Sequence, residues 1–247
     1  ALIWNKRFSN QRRLNVRFFT LDASRKSVGD LSRPNRPDAN RERDLIIGEF
    51  NNWGIESRFL RHYTFITQPS TFLVGVRAYR GFNWSRQGFA KGGDDADFNL
   101  INPESAGVSD YQHPGYNAAL FAENIFRLPY QISIIPGIRL EAIETNANGF
   151  YKNRLISGGR LIFEDTVSVS RSYFRQFPLL GLGLSKKTKQ VEILANITQN
   201  YRSINFSDMS ISNPNLRVDS NLKDESGFNT DITFRGYLIP NICWFDL

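Results

Sequence analysis

From Phe72 to Arg80 the chain alternates: Phe72, Val74, Val76 and Ala78 fall on one face, and Leu73, Gly75, Arg77 and Tyr79 on the other. The same two-residue period recurs. Ala118, Leu120 and Ala122 oppose Asn117, Phe121 and Glu123. Ile134, Pro136, Ile138, Leu140 and Ala142 oppose Gly137, Arg139 and Glu141. Later, Val191, Ile193, Ala195 and Ile197 oppose Glu192, Asn196 and Thr198, and Phe228, Ile232 and Phe234 oppose Asn229, Asp231, Thr233 and Arg235. Arg13–Leu21 and Asn52–Thr67 behave alike, with Arg17, Glu56 and Arg58 on the polar side. A period of two is the mark of strands, and helical periodicity is nearly absent.

The connections alternate as well. Tight turns are expected at Ser9–Gln11, Gln68–Ser70, Leu128–Gln131, Lys186–Lys189 and Pro240–Asn241. Between them lie long polar segments at about Ser24–Asp44, Gly81–Gly115, Thr145–Gln176 and Ser203–Glu225, rich in Gly, Asn, Asp, Ser and Arg. In an up-and-down sheet this sorting puts every tight turn on one edge and every long loop on the other, as in outer-membrane barrels. A soluble β-sandwich also alternates, but its turns usually recur every 8–12 residues or so, a spacing exceeded here. Aromatics near the proposed strand ends (Tyr63, Phe65, Phe72, Phe126, Tyr130) suit a membrane interface. The expected fold is all-β: an antiparallel transmembrane β-barrel, present as about ten strands. The chain opens in one strand and stops in another, at Ile242–Leu247, so residues 1–247 read as part of a larger barrel.

Composition narrows the function. No run of about 18 apolar residues exists and mean hydropathy is −0.39, which rules out membrane-spanning helices but not barrel strands. The net charge of +7 comes without a basic helix or an aromatic-basic platform. That argues against nucleic acid and for small anions or anionic lipid headgroups. One cysteine, Cys243, and two histidines, His62 and His113, supply neither a disulfide framework nor a metal centre. Neither histidine neighbours a promising nucleophile. Glu56, Glu123, Glu141 and Glu192 recur on inward faces as a wet lumen wall, or as one that hydrogen-bonds a plug, so no enzyme is expected. Asp94, Asp95 and Asp97 follow two glycines but lack the full calcium-loop pattern.

Four stretches, in order, resemble the barrel of TonB-dependent outer-membrane receptors of the ferric-citrate-receptor-like group of Bacteroidetes. They are DADFNLINPES (Asp95–Ser105), YNAALFAENIF (Tyr116–Phe126), SIIPGIRLEAIET (Ser133–Thr145) and the segment Asn200–Gly236 containing NPNLRVD and KDESGFNTDI. Val218-Asp219 stands where many relatives have Pro-Glu. The resemblance spans most of Leu14–Phe245. It implies a barrel of about 22 strands around an N-terminal plug, importing ferric citrate or another ferric siderophore across the outer membrane. Energy would come from the TonB complex through the plug. No plug or TonB box matches anything in this sequence, so the chain is expected to be the middle-to-late part of the barrel, without a cofactor beyond the ferric chelate it carries.

An anionic chelate suits guanidinium forks, which bind carboxylates bidentately. The candidate ligand-binding residues are Arg36, Arg80, Arg86 and Arg202, expected at external strand ends or in loops, with Tyr79 and Gln199 beside them. Two readings stay open: a passive porin-like channel and a soluble β-sandwich binding module.

Overall fold

The structure, a computed structural model, describes residues 1–30, 41–157, 160–209, 219, 221–239 and 243–246. Among the described residues ten strands form one sheet: β1 (Leu2–Ser9), β2 (Arg12–Gly29), β3 (Arg43–Phe65), β4 (Gln68–Ala90), β5 (Ser109–Leu128), β6 (Ile132–Ser157), β7 (Arg160–Lys187), β8 (Val191–Arg202), β9 (Glu225–Ile239) and β10 (Cys243–Asp246). Each pairs antiparallel with the next, in unbroken sequence order. A short helix, α1 (Phe206–Met209), interrupts the β8–β9 connection.

Register assigns the two faces, because directly opposed residues of an antiparallel pair share one. Ser57, Val76, Leu120, Leu140 and Pro178 follow one another across β3–β7; Phe59, Val74, Ala122, Ile138 and Leu180 run parallel to them. The row continues through Leu182, Ile197, Ala195 and Ile232. Val76, Leu120, Ile138, Leu140 and Leu180 are among the exposed large hydrophobics. An apolar band left exposed among the described residues is the lipid-facing side of a barrel wall. The opposite face carries Arg17, Glu56, Arg77, Ala119, Glu141 and Phe177 in one row, and is the lumen side.

The band occupies only part of each strand. β6 and β7 are 26 and 28 residues long, whereas about 9–11 tilted residues span a bilayer. Their hairpin therefore stands far beyond the membrane. This corrects the expected loops: most of Thr145–Gln176 is paired strand, as are Gly81–Ala90 and Ser24–Gly29. Outside the bilayer neither face need be apolar, so alternation fades while backbone pairing continues. The connection Lys91–Val108 remains a true loop, and the described residues of the one after Arg202 form no strand before β9.

The tight turns lie at the other end, at Asn10–Gln11, Ile66–Thr67, Pro129–Gln131 and Thr188–Gln190. The second falls two residues before its expected place, and Ile66 and Thr67 both have positive φ (47° and 67°). The expected turn at Pro240–Asn241 lies outside the described residues.

Both long connections fold back onto the wall, one on each side. Leu100 packs with Leu45, Ile47 and Ala90 on the outward face, beyond the apolar band. Gly88 permits this, since a Cβ there would stand 2.8 Å from Leu100 and 3.0 Å from the Gly107 backbone. Ile204 and Met209 instead bury themselves against Ala147 on the lumen face.

Candidate functional site

The lumen wall at the level of the apolar band is an arginine–glutamate lattice. Glu56 is 8% exposed, with Arg58 at 2.6 Å and Arg77 at 3.7 Å. Glu141, equally buried, pairs with Arg139 and accepts a 2.6 Å bond from Asn117. Arg17 sits directly opposite Glu56. Four guanidiniums thus face two carboxylates, a surplus of two positive charges. Aromatic rings brace the arginines: Arg58 and Arg139 approach Phe121 at 6.0 and 5.3 Å, and Arg77 approaches Phe19 at 5.5 Å. Each ring in turn covers a glycine on the neighbouring strand, Phe121 over Gly75 and Phe19 over Gly54.

Above this lattice the β8–β9 connection covers the lumen face. Its anchor is Asp224, which accepts two bonds from Arg175 (2.6 and 2.8 Å), one from the Ile204 backbone N–H (2.8 Å) and one from the Tyr201 hydroxyl. Burial alone would raise the Asp224 carboxyl, but these hydrogen bonds outweigh it and hold it below its ordinary value. Burial, reinforced by the bond to Asp224, pushes the Tyr201 phenol up to about 12. Arg175 also donates to Thr145 Oγ1, tying the anchor to β6.

Between this connection and the sheet lies a pocket of about 250 Å³. Its floor is bare backbone, the directly paired Gly81 and Gly115. Asn52, Tyr79, Asn83 and His113 rise around it, and Ser203–Asn205 with Met209 form the far wall. No charged side chain lines it among the described residues. Desolvation lowers His113 to about 4, against which a hydrogen bond with the Asn146 backbone works only in part, so the imidazole is neutral at ordinary pH. Asn83 Oδ1 is buried with no hydrogen-bond partner among the described residues.

The sequence-derived candidates do not converge here. Arg80 and Arg86 share the outward face with Val76 and Ala78, by the unbroken β4 register. Arg80 lies between Trp53 and Tyr116 across the ladder, at the upper rim of the apolar band. Arg86 stacks on Trp84 at 4.1 Å and pairs with Glu49 at 3.2 Å. Arg202 stays at the external end of β8 but is held by Glu225 at 2.8 Å and Asp208 at 3.0 Å, whose charges hold its pKa above the ordinary value. Arg36 lies outside the described residues. Tyr79 lines the pocket, while Gln199 accepts the Leu180 N–H (2.9 Å) where β8 parts from β7. Asp95 pairs with Arg43 at 2.8 Å and Asp97 accepts from Asn99, so the acidic run is a structural loop. Among the described residues no carboxylate or histidine group is arranged to hold a metal.

The lumen residue that sequence reading missed is Arg171. It opposes Ala147 on the lumen face, two residues along β6 from Thr145 of the pocket. Its Nη1 is buried and has no hydrogen-bond partner among the described residues. The only sequence signal was its odd position in β7, shared with Tyr173 and Arg175, inside a segment expected to be a loop.

The model of the family described as "TonB dependent receptor-like, beta-barrel" matches residues 1–246. The chain belongs to that family. Its fold is similar to the crystal structure of the ferric citrate transporter FecA in the unliganded form, with a TM-score of 0.66 and 16% identity. The match covers 94% of this chain and 31% of FecA, so this TonB-dependent receptor chain spans under a third of that protein. No curated protein matches the sequence. TonB-dependent receptor barrels are outer-membrane proteins, and the passive porin and soluble sandwich readings give way to that family. The short turns then face the periplasm, and the long hairpins, the pocket and Arg171 the exterior.

Proposed function

We propose that this chain is the ligand-facing part of an importer of anionic ferric chelates, coupled to the TonB complex through a plug outside these residues. The observation that carries it is Arg171. A buried guanidinium nitrogen without a partner costs several kcal/mol on the order of a lost charged hydrogen bond, and a bound carboxylate would repay it. The surplus charge of the lattice below draws the same anion inward. Transport of ferric citrate by the structurally similar FecA supports the chelate class. Arg202 is a secondary candidate, available only if it exchanges Glu225 or Asp208 for ligand. Arg80, flanked by Trp53 and Tyr116 on the outward face, suits lipid headgroups better than ligand.

The test uses the full-length receptor in detergent, titrated with ferric dicitrate by calorimetry. Arg171→Ala should weaken binding at least about tenfold, the size of one charged hydrogen bond, and Arg80→Ala should leave it unchanged. Absence of dicitrate binding, or equal affinity in Arg171→Ala, would remove the reading. Uptake that persists after the proton-motive force is dissipated would favour a passive channel.

A further inference from the structure

We propose that Arg12 and Arg61, at the periplasmic foot of the outward face, clamp the phosphate of a phospholipid of net negative charge from the inner leaflet of the outer membrane. The site depends on the orientation of the barrel and not on the chelate reading, so either can fail without the other.

The two arginines stand directly opposite one another across the β2–β3 ladder, on the face that carries Leu14 and Phe59. Like charges placed in this way repel. Both side chains are exposed, and neither has an ion pair or a side-chain hydrogen bond among the described residues. No carboxylate on this face answers them. Below the row Leu14, Phe59, Val74 and Ala122, the described outward positions of β2–β7 carry Arg12, Arg61 and Lys186 and no Asp or Glu. Glu123 and Glu192 at that depth belong to the lumen face, and Glu192 is already held by Arg235 at 2.8 Å. The external end of the same outward face is different: Arg43 has Asp95 at 2.8 Å and Arg86 has Glu49 at 3.2 Å. Cations without a counter-charge are therefore gathered at one edge of the membrane band.

That edge is also a headgroup level. Arg12 opens β2 directly after the Asn10–Gln11 turn, and Phe72 continues the row beside Arg61. Nearby on the outward face Phe65 packs on Phe126 at 4.9 Å, and the Tyr63 hydroxyl donates to Asn124 Oδ1 at 3.0 Å. Aromatics of this kind collect where hydrocarbon meets water. Two guanidiniums on adjacent strands offer forked N–H donors to the oxygens of one phosphodiester. The acyl chains of the same molecule then lie on Leu14, Phe59 and Val74. A free phosphate would take the donors and gain nothing from the apolar row. A zwitterionic headgroup would return a cation to a pair that already repels, which favours a lipid of net negative charge.

The experiment uses the full-length receptor, stripped of lipid in a non-ionic detergent. It is titrated with short-chain phosphatidylglycerol, with phosphatidylcholine of the same chains and with inorganic phosphate. Native mass spectrometry reads bound lipid, and thermal unfolding is followed in parallel. Phosphatidylglycerol should bind at least about tenfold more tightly than either other probe. Arg12→Gln with Arg61→Gln should remove that preference. Arg61→Lys keeps the charge but loses the fork, and should weaken phosphatidylglycerol about tenfold. Lys186→Gln with Lys189→Gln removes as much charge from the same edge and should leave the affinity within about twofold. Without lipid, the double arginine variant should unfold no earlier than the parent, because a repulsion has been removed; earlier unfolding would make the pair structural and overturn the site. Equal binding of the two lipids, phosphate competing as tightly as phosphatidylglycerol, or an equal loss in the lysine variant would overturn it as well. Heat-modifiable migration on gels checks each barrel. If the double arginine variant does not assemble, Arg61→Lys decides, and unchanged phosphatidylglycerol affinity there overturns the clamp.

Discussion

Phe121 lies over Gly75, its direct partner across the β4–β5 ladder, so closely that a Cβ on the glycine would stand 2.4 Å from the ring. The Ser57 carbonyl would be 2.7 Å away on the other side. The pair shows how the lumen wall is built: glycine gives up its side chain so that one aromatic can cover two strands and hold Arg58 and Arg139 against its face.

Gly75→Ala is therefore expected to destabilise the barrel by about 1–3 kcal/mol, as overpacking does. Gly54→Ala should cost less, because there the backbone contact is 3.1 Å and the ring of Phe19 can swing aside. Adding Phe121→Ala to Gly75→Ala should recover only part of the loss, since the Ser57 contact persists. Urea unfolding in detergent micelles reads all three. Equal stability of Gly75→Ala and the parent would show that the ring yields freely.

The turn joining β3 and β4 holds two β-branched residues, Ile66 and Thr67, at positive φ. Such residues avoid the left-handed region at a cost of about 1–2 kcal/mol each, and a two-residue hairpin of this kind favours Asn-Gly. Replacing both, Ile66→Asn with Thr67→Gly, should raise stability by about 1 kcal/mol or more without touching ligand affinity. A lower unfolding midpoint would mean that Ile66, 61% exposed here, is covered in the assembled receptor.

Asp224 ties the β8–β9 connection to Arg175, Tyr201 and Ile204. Asp224→Asn keeps the shape but removes the charge, and should cost about 1.5–3 kcal/mol locally. The loss should be confined: amide exchange should rise at residues 203–209 and stay slow in β4 and β5. Uniformly faster exchange across the sheet would contradict a local anchor.

His113 gives the external region a pH dependence. Its value is about 4 when folded, against an ordinary 6.5. Between those values the unfolded chain binds the extra proton, so stability is full above about 6.5 and declines as pH falls toward 4. Moving from about pH 7.5 to about pH 5 should thus speed unfolding in the parent more than in His113→Gln. Identical sensitivity in both would assign the effect to another group.

The reading of the sequence succeeded where lipid imposes a rule. Val74–Ala78 and Ile134–Ala142 alternate because one side of each strand must be apolar, and that constraint is written residue by residue. It reached the all-β meander, the sorting of short and long connections, and the inward set of Glu56, Arg77, Arg139 and Glu141. It failed above the membrane, where Thr145–Gln176 looks like loop because water accepts either face of a hairpin. The same failure hid Arg171, and it left unread that Arg86 shares the outward face with Val76 and Ala78. Which way a side chain points there depends on strand parity carried up from the membrane band, and a segment read as loop does not keep it. The pocket is more remote still. Asn52, Asn83, His113 and Ser203 come from three strands and a returning loop, and only long-range pairing brings their neutral groups around two facing glycines.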